Sequence, residues 1–231
     1  MDQVAQVFEN VRKDGRNNLL EPEAMAVCMD YGIPVPKFRL ARTPEEALGF
    51  AEEVGYPLVL KIVSPQIVHK SDVGGVVAGI RTREEVGAAY RKILASVKEK
   101  APDAKVIGIL LEAMAAPATE VIIGSTKDAQ FGPVLMFGLG GIFVEVLKDV
   151  TFRVAPITQS DAMEMITEVK GYQVLKGQRG QPAADVNKLV DILLRVSDLL
   201  VDHPEIKELD LNPVIVYADG AKTVDARIIL E

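Results

Sequence analysis

The segment 57–64, PLVLKIVS, contains a lysine in a run that is otherwise apolar. Five of the six residues from 58 to 63 are aliphatic, and the sixth is Lys61. An ammonium group inside a buried strand is unfavourable unless an anion compensates its charge. The segment therefore predicts a strand that delivers a positive charge to an anionic partner. A strand-end lysine that reaches water or pairs with a glutamate is the alternative.

A polar loop with two adjacent glycines follows this predicted strand. Gly74 and Gly75 would allow the backbone to approach a ligand closely. His69, one of two histidines in the chain, has a side chain suited to proton or phosphoryl transfer, although most loop histidines are simply solvated. We treat His69 as a catalytic candidate, and Ser64 and Val68 as candidates for contact with the ligand. A nucleotide polyphosphate is the simplest ligand that satisfies this pattern.

The composition argues against several other classes of function. The net charge of −7 disfavours binding to nucleic acid or to an anionic membrane. No apolar run approaches the length of a bilayer span, and the first residues lack the order of a signal peptide, so we expect a cytoplasmic protein. The single cysteine, Cys28, excludes an internal disulfide and a cysteine-based zinc site, and we expect it in the core.

The order of the predicted elements indicates an α+β fold of two lobes. Small residues and a proline at 115–118 separate two apolar strands and are typical of a linker. We therefore expect an N-terminal helical extension over 1–20, a first lobe over 21–115 and a second lobe over 116–231.

Local signals predict where several elements begin. Thr43 and Thr82 are each followed three residues later by a glutamate, and this pattern is typical of a helix start. Thr158, with Asp161, predicts a third helix start. The dipeptide at 219–220, Asp-Gly, lies between two alternating segments and predicts a β-hairpin.

A glycine cluster at 138–141 precedes a segment, 142–149, that we interpret as a strand. The cluster lacks the spacing of a Walker loop, and Phe143 stands where a dinucleotide fingerprint needs a third glycine. Close backbone approach to a ligand, with Gly140 as the contact, and close approach to a neighbouring strand both remain open. Glu145 and Arg153 interrupt apolar strands, which fits either an internal ion pair or an arginine aimed at a transferred phosphate.

Near the end of the chain, polar residues alternate with leucines in ELDLNP. Alternation places Asp210 and Asn212 on one face of a strand, and Asp225 in the paired strand could face the same way. Carboxylate and amide oxygens near a phosphate are the ligands that Mg²⁺ prefers. An ordinary polar strand face is the alternative.

With these features in hand, the chain resembles the ATP-grasp family. More narrowly, it is similar to the nucleotide-binding β subunit of ADP-forming acetyl-CoA (acyl-CoA) synthetases, relatives of succinyl-CoA synthetase. The most specific stretches are VLKIVSPQIVHKSDVGGV, FGLGGIFVEVLKDVTFRVAPI and ELDLNPVIV, and the resemblance covers nearly the whole chain. It implies an ATP-grasp fold of two α+β lobes with ATP or ADP between them.

The resemblance also implies roles for residues that bind the nucleotide. Lys61 matches the lysine on the nucleotide phosphates. Glu112 and Met114 match the hinge where a carboxylate and backbone groups hold the adenine. Glu120 falls where related enzymes hold the ribose.

A second group of residues matches the metal site and the site of transfer. Asn212 and Asp225 match the Mg²⁺ ligands, Asp210 lies beside them, and His69 faces the terminal phosphate. In this family a histidine of a partner α subunit carries the phosphoryl group from an acyl phosphate to ADP. The CoA-binding and phosphohistidine domains would belong to that partner, in an assembly that we expect to be α2β2.

Two other functions stay open at this stage. A stand-alone ATP-grasp carboxylate ligase would turn over ATP without a partner chain. A nucleotide-sensing regulatory subunit would bind ATP without forming a product.

Overall fold

The structure is a computed structural model that describes residues 3–141, 144, 147–177 and 182–231. In chain order its helices and strands are α1 (Gln3–Lys13), α2 (Glu21–Asp30), β1 (Phe38–Ala41), α3 (Pro44–Val54), β2 (Leu58–Val63), β3 (Val76–Ile80), α4 (Arg83–Lys100), β4 (Gly108–Ala113), β5 (Thr119–Asp128), β6 (Gly132–Leu139), β7 (Val150–Val154), α5 (Gln159–Glu168), a 3₁₀ helix (Lys170–Val174), α6 (Val186–Asp202), β8 (Ile206–Tyr217), β9 (Gly220–Thr223) and β10 (Ala226–Leu230). This mixture of helices and antiparallel strands is the predicted α+β class.

The chain forms two compact units. Pro36–Ala115 is one of them, and we refer to it as the inserted unit. The residues before Pro36 join Ala116–Glu231 to form the other, the flanking unit. The change of unit after Ala115 coincides with the predicted lobe boundary.

The N-terminal residues differ from the prediction, because residues up to 35 pack within the flanking unit. Leu19 N donates to Ile228 O at 3.0 Å, which ties the segment before α2 to β10. Arg195 Nη1, on α6, donates to Tyr31 O at 3.0 Å. The segment 21–35 was expected in the first lobe, but Arg195, which donates to Tyr31, lies 164 residues later in the chain.

The inserted unit has a four-stranded antiparallel sheet in the order β1-β4-β2-β3, with α3 and α4 on one face. Leu58, Leu60 and Ile62 of β2 pack into the core with these helices. Burying each such side chain fully contributes roughly 1.5–3 kcal/mol. Because successive side chains of a strand point to opposite faces, the residues between these three, including Lys61, point to the other face of the sheet.

Both predicted helix starts in the inserted unit are confirmed. Thr43 Oγ1 accepts a hydrogen bond from Glu46 N at 3.1 Å, and Thr82 Oγ1 accepts one from Glu85 N at 3.3 Å. The start of α5 is confirmed as well, because Thr158 and Asp161 cap it reciprocally.

The flanking unit has a sheet in the order β10-β8-β5-β6-β7, with β9 paired to β8. The predicted hairpin joins β8 to β9. The last predicted strand is divided into β9 and β10, and Asp225 lies in the break between them. Of the predicted strand over 142–149, residues 142, 143, 145 and 146 lie outside the described residues. The prediction is wrong for residues 144 and 147–149, which are described and are not in a strand, and β7 begins only at Val150.

The two faces of this second sheet differ in what they carry. Thr151 Oγ1 donates to Met165 O at 2.8 Å, so that side of β7 faces α5. Residues that are cross-strand partners have their side chains on the same face of a sheet. The face that does not contact α5 can therefore be followed through the pairs Gly124–Met136, Met136–Phe152 and Gly124–Asp210. We name it the Asp210 face, with the members Glu120, Gly124, Met136, Phe152 and Asp210.

Cys28 is fully buried, as the sequence predicted, and burial raises the pKa of its thiol to about 12. Within the described residues, no helix is both long and apolar enough to cross a membrane.

Candidate functional site

Lys61 forms a buried ion pair with Glu112 inside the inserted unit. Their Nζ and Oε2 atoms are 2.7 Å apart, and the two side chains are 11% and 2% exposed. Lys61 pairs with Leu110 and Glu112 pairs with Val59, so both charges lie on the sheet face opposite α3 and α4. Pairing with a glutamate, one of the two sequence interpretations, is what the structure shows. The predicted contact with phosphate remains a prediction.

The predicted adenine hinge is engaged in contacts within the inserted unit. The Glu112 carboxylate lies against Lys61, and Met114 N donates to Pro57 O at 2.9 Å. The Met114 side chain is 37% exposed. A contact of either residue with adenine therefore stays a prediction, and it would require atoms other than the Met114 N–H.

The loop after β2 presents two of its candidate residues to solvent. Val68 and His69 are exposed. Ser64 is buried, and its Oγ donates to Gln66 Oε1 at 3.2 Å and accepts from Gln66 N at 3.3 Å. Ser64 thus stabilises the turn that leads towards His69.

The adjacent glycines of this loop serve packing, which corrects the expectation that they admit a ligand. A Cβ atom at Gly74 would lie 2.4 Å from Ser96 Oγ, and one at Gly75 would lie 2.4 Å from Ile62 Cγ2. Gly74 also has a φ of +66°, in the left-handed region that favours glycine. The space is filled by α4 and β2 of the same unit.

In the flanking unit, Glu120 and Gly140 meet at a pocket of about 250 Å³. Gly140 N donates to Glu120 O at 2.8 Å, and a Cβ atom at 140 would lie 2.9 Å from Glu120 Cβ. The lining residues are Thr119, Glu120, Leu139, Gly140, Gly141 and Val174. Apolar walls with one carboxylate are typical of a site for a small molecule such as a nucleoside.

Asn212 and Asp225 are neighbours across the end of the β8–β10 pairing. Asn212 N donates to Asp225 O at 3.1 Å, and Val224 N donates to Pro213 O at 3.1 Å. The structure thus brings together the two predicted metal ligands. In the described part of the chain, no three His, Cys, Asp or Glu side chains cluster around a possible metal position. One amide and one carboxylate fit Mg²⁺ that arrives with a nucleotide, since Mg²⁺ takes its other ligands from phosphate and water.

Asp210 lies opposite Arg227 in the pairing of β8 with β10. Together with Ser125, Thr126, Glu208 and Leu209 they line a pocket of about 170 Å³. Burial raises the pKa of Asp210, and the charge of Arg227 opposes that shift. Sequence analysis missed Arg227. The register of the two strands would have revealed it: two residues before Asn212 is Asp210, and two residues after Asp225 is its partner Arg227.

Arg153, the other predicted catalytic residue, lies on the α5 side of the sheet. Its Nη2 is 2.8 Å from Glu168 Oε1 and 3.4 Å from Glu164 Oε2. The hydrogen bond to Glu168 is the main cause that raises its pKa. Glu145, the partner suggested by the sequence, lies outside the described residues. The structure therefore does not bring Arg153 to Asp210, which is on the opposite face.

A family model described as an ATP-grasp domain matches residues 10–230. The chain belongs to the ATP-grasp domain family. The resemblance found in the sequence and the fold that it implied are confirmed by this match and by the solved structures below.

Three comparisons place this ATP-grasp chain more narrowly. It is 51% identical to the beta subunit of ADP-forming acetate–CoA ligase I from Pyrococcus furiosus, over 100% of both chains. A dinucleotide forming acetyl-coenzyme A synthetase 1 of Ca. Korarchaeum cryptofilum, in complex with coenzyme A and Ca-AMPCP, has a TM-score of 0.96 and 52% identity, covering 98% of this chain and 99% of that one. Another structure of the Korarchaeum enzyme holds Mg-AMPPCP, with its phosphohistidine segment pointing towards the nucleotide binding site. Its TM-score is 0.88 and its identity 48%, over 99% of this chain and 100% of that one.

Within the flanking unit of this ATP-grasp chain, the candidate residues follow one another along β8. Asp210 comes first, then Asn212 with its neighbour Asp225, and then Ile215, whose cross-strand partner is Glu120. In the order of residues along β8, Asn212 thus stands between Asp210 and the residue that pairs with Glu120. A nucleoside at one end, metal-bound phosphates in the middle and a reacting group at the other end match this order.

Proposed function

We propose that this chain is the nucleotide-binding β subunit of an ADP-forming acetyl-CoA synthetase. The overall reaction is acetyl-CoA + ADP + phosphate = acetate + CoA + ATP. The observation that carries the proposal is the match over the full length of both chains to a beta subunit of such an enzyme. The order of pockets and ligands along β8 supports the part of the reaction assigned to this chain.

The proposed nucleotide contacts are assigned to each unit separately, beginning with the flanking unit. The pocket at Glu120 and Gly140 takes the nucleoside, and Asn212 and Asp225 would hold Mg²⁺. When bound, Mg²⁺ would supply positive charge to the nucleotide phosphates. In the inserted unit, Lys61 is the residue that we assign to the nucleotide phosphates, as the family resemblance implies.

The chemical step is transfer of a phosphoryl group between a histidine of the partner α subunit and ADP. The phosphorus–nitrogen bond breaks, the imidazole takes up a proton, and a phosphorus–oxygen bond to ADP forms. Catalysis of such a step consists mainly of positioning and charge stabilisation. We assign these tasks to Asp210 and Arg227 at the adjoining pocket, and the exposed His69 either relays the phosphoryl group or stabilises its transfer.

The partner proposed here is an α subunit that carries the CoA-binding and phosphohistidine domains, in an α2β2 assembly. The phosphohistidine segment in the Korarchaeum structure supports this partner.

Co-purification with the native α subunit followed by an assay for ATP formation tests the proposal. We expect ATP from acetyl-CoA, ADP and phosphate only when both chains are present. ATP turnover by this chain alone, with an acid and an amine, would instead identify a carboxylate ligase. Nucleotide binding without product, with every candidate partner present, would identify a sensor.

Labelling tests the role of His69 separately. γ-Labelled ATP should give an acid-labile, base-stable label on this chain if His69 relays the phosphoryl group. A label that persists in His69→Ala rejects the covalent role and leaves only transition-state stabilisation.

A further inference from the structure

We propose that Asp149 is a positioning residue that sets the shape of the nucleoside pocket by fixing the 3₁₀ helix Lys170–Val174. This inference rests on the proposed function, because it takes the pocket at Glu120 and Gly140 to be the nucleoside site. Asp149 itself does not line that pocket.

The Asp149 carboxylate is buried and uses both of its oxygens. Oδ1 accepts from Lys170 N at 2.8 Å, and Oδ2 accepts from Gly171 N at 2.7 Å. The residue is only 6% exposed. The first N–H groups of a helix have no partner inside the helix, and a carboxylate that accepts two of them makes strong, charge-assisted hydrogen bonds. Asp149 therefore determines where the 3₁₀ helix begins.

The backbone around Asp149 is itself held in place. Lys148, the residue before it, has a φ of +49°, and among the described residues it is the only non-glycine with a positive φ. A Cβ atom at Gly138 would lie 3.0 Å from Asp149 O and 2.9 Å from Val150 Cγ1. A left-handed non-glycine residue persists only where its surroundings enforce it. Asp149 is thus fixed beside the glycine cluster that supplies Gly140.

The other end of the 3₁₀ helix reaches the pocket. Val174, its last residue, lines the pocket together with Glu120 and Gly140. Leu175 is buried and its carbonyl accepts from Ala184 N at 2.8 Å, so the far end has its own anchor. A single 3₁₀ turn has little stability of its own. Without the Asp149 carboxylate, the N-terminal end of the 3₁₀ helix loses its two hydrogen bonds. Val174 is then no longer held in place opposite Glu120 and Gly140 in the pocket.

Asp149→Asn is the informative variant, because it keeps the size of the side chain. The amide oxygen can accept only one of the two N–H groups, and its NH₂ group faces the other donor. Asp185→Asn is the matched control. Asp185 Oδ1 accepts from Lys188 N at 2.9 Å and caps α6, and Asp185 does not line the pocket.

The experiment measures the Kd of Mg-ADP by calorimetry, the Tm, and steady-state kinetics on the chain assembled with its α subunit. For Asp149→Asn we expect Kd and the KM for ADP to rise about tenfold, which corresponds to about 1.4 kcal/mol. We expect kcat and the KM for phosphate to stay within about twofold. Asp185→Asn should lower Tm to a similar extent while Kd stays unchanged, which separates positioning from general destabilisation.

If Asp149→Asn does not fold, a second variant, Val174→Ala, tests the inference instead. It shortens the side chain that lines the pocket and should raise the Kd of Mg-ADP. An unchanged Kd overturns the inference. If wild type binds Mg-ADP and Asp149→Asn binds it equally well, the inference fails and the proposed function stands. If wild type binds no Mg-ADP, both fail. Equal effects of Asp149→Asn and Asp185→Asn on Kd also overturn the inference.

Discussion

Among single residues, Lys61 and Glu112 are the most strongly coupled candidates in the inserted unit. A buried charge that loses its partner is left without compensation, which destabilises a protein by about 3–5 kcal/mol. We therefore expect Lys61→Met and Glu112→Gln each to lower the free energy of unfolding by about that amount. The double variant should be far less destabilised than the sum of the two. Urea denaturation of all four proteins measures this coupling.

The exposed pair Arg39–Glu53, with 3.1 Å between Nε and Oε2, is the matched control on β1 and α3. Its side chains are 47% and 52% exposed, and solvent-exposed pairs contribute only about 0–1 kcal/mol. Additive effects of Lys61→Met and Glu112→Gln would contradict a direct buried ion pair.

The two arginines of the second sheet make a prediction about activity. Arg227 is exposed beside Asp210, whereas Arg153 is held by Glu168 on the other face. Removing a preorganised group that stabilises transferred charge typically lowers kcat by a factor of about 10²–10³. We expect Arg227→Gln to lower the kcat of ATP formation by about that factor with little change in Tm. Arg153→Gln should lower Tm and leave kcat unchanged. A larger loss of kcat in Arg153→Gln would restore the role that the sequence suggested.

At the scale of the elements, the sequence predicted what depends on neighbouring residues. The caps at Thr43, Thr82 and Thr158 form as expected, because capping joins residues three positions apart. The hairpin after β8 forms for the same reason. The Asn212–Asp225 neighbours could also be predicted, since they belong to one hairpin-connected segment.

The features that the sequence did not predict depend on contacts between distant residues. Gly74 and Gly75 suggested a ligand, but the atoms that fill the space belong to Ser96 and Ile62. The alternation of side chains along β7 places Arg153 on one face of the sheet. Which face that is depends on where α5 packs, because Glu168 of α5 binds Arg153. The prediction assigned the segment 21–35 to the first lobe because nothing in its local sequence reveals that α2 packs against β10.

Replacing either of two glycines inside helices, Gly49 and Gly87, by alanine should increase the stability of the protein. A Cβ atom at Gly49, in α3, meets nothing within 4 Å, and one at Gly87, in α4, is 3.5 Å from Arg91 Nη1. Glycine inside a helix costs about 0.5–1 kcal/mol relative to alanine. Gly49→Ala and Gly87→Ala should each raise the free energy of unfolding by about that amount in urea denaturation. Gly74→Ala is the opposing control, since the new Cβ would overlap Ser96, and it should destabilise. Loss of stability in both helix variants would contradict the described packing.

At the scale of the whole molecule, the candidate residues are divided between the two units. Lys61, Glu112 and His69 belong to the inserted unit, and Asn212 and Asp225 belong to the flanking unit. Neither unit alone carries the complete set of groups that the proposed reaction uses. Ligand binding provides a way to test each set.

A ligand that binds only the folded state at about 100 times its Kd stabilises it by about 2.7 kcal/mol, which raises Tm on the order of 5–10 °C for a chain of this size. We expect Mg-ADP to produce such a rise in the Tm of the wild type. Lys61→Met and Asn212→Ala should each lose more than half of this rise.

Lys98→Met on α4 and Asn187→Ala on α6 are the matched controls. They change the same residue types at exposed helix positions and should keep the full rise in Tm. EDTA should reduce the shift in wild type and have little further effect in Asn212→Ala, because that residue acts through the metal. If either Lys61→Met or Asn212→Ala retained the whole shift, the role in nucleotide binding that we assign to that residue would be contradicted.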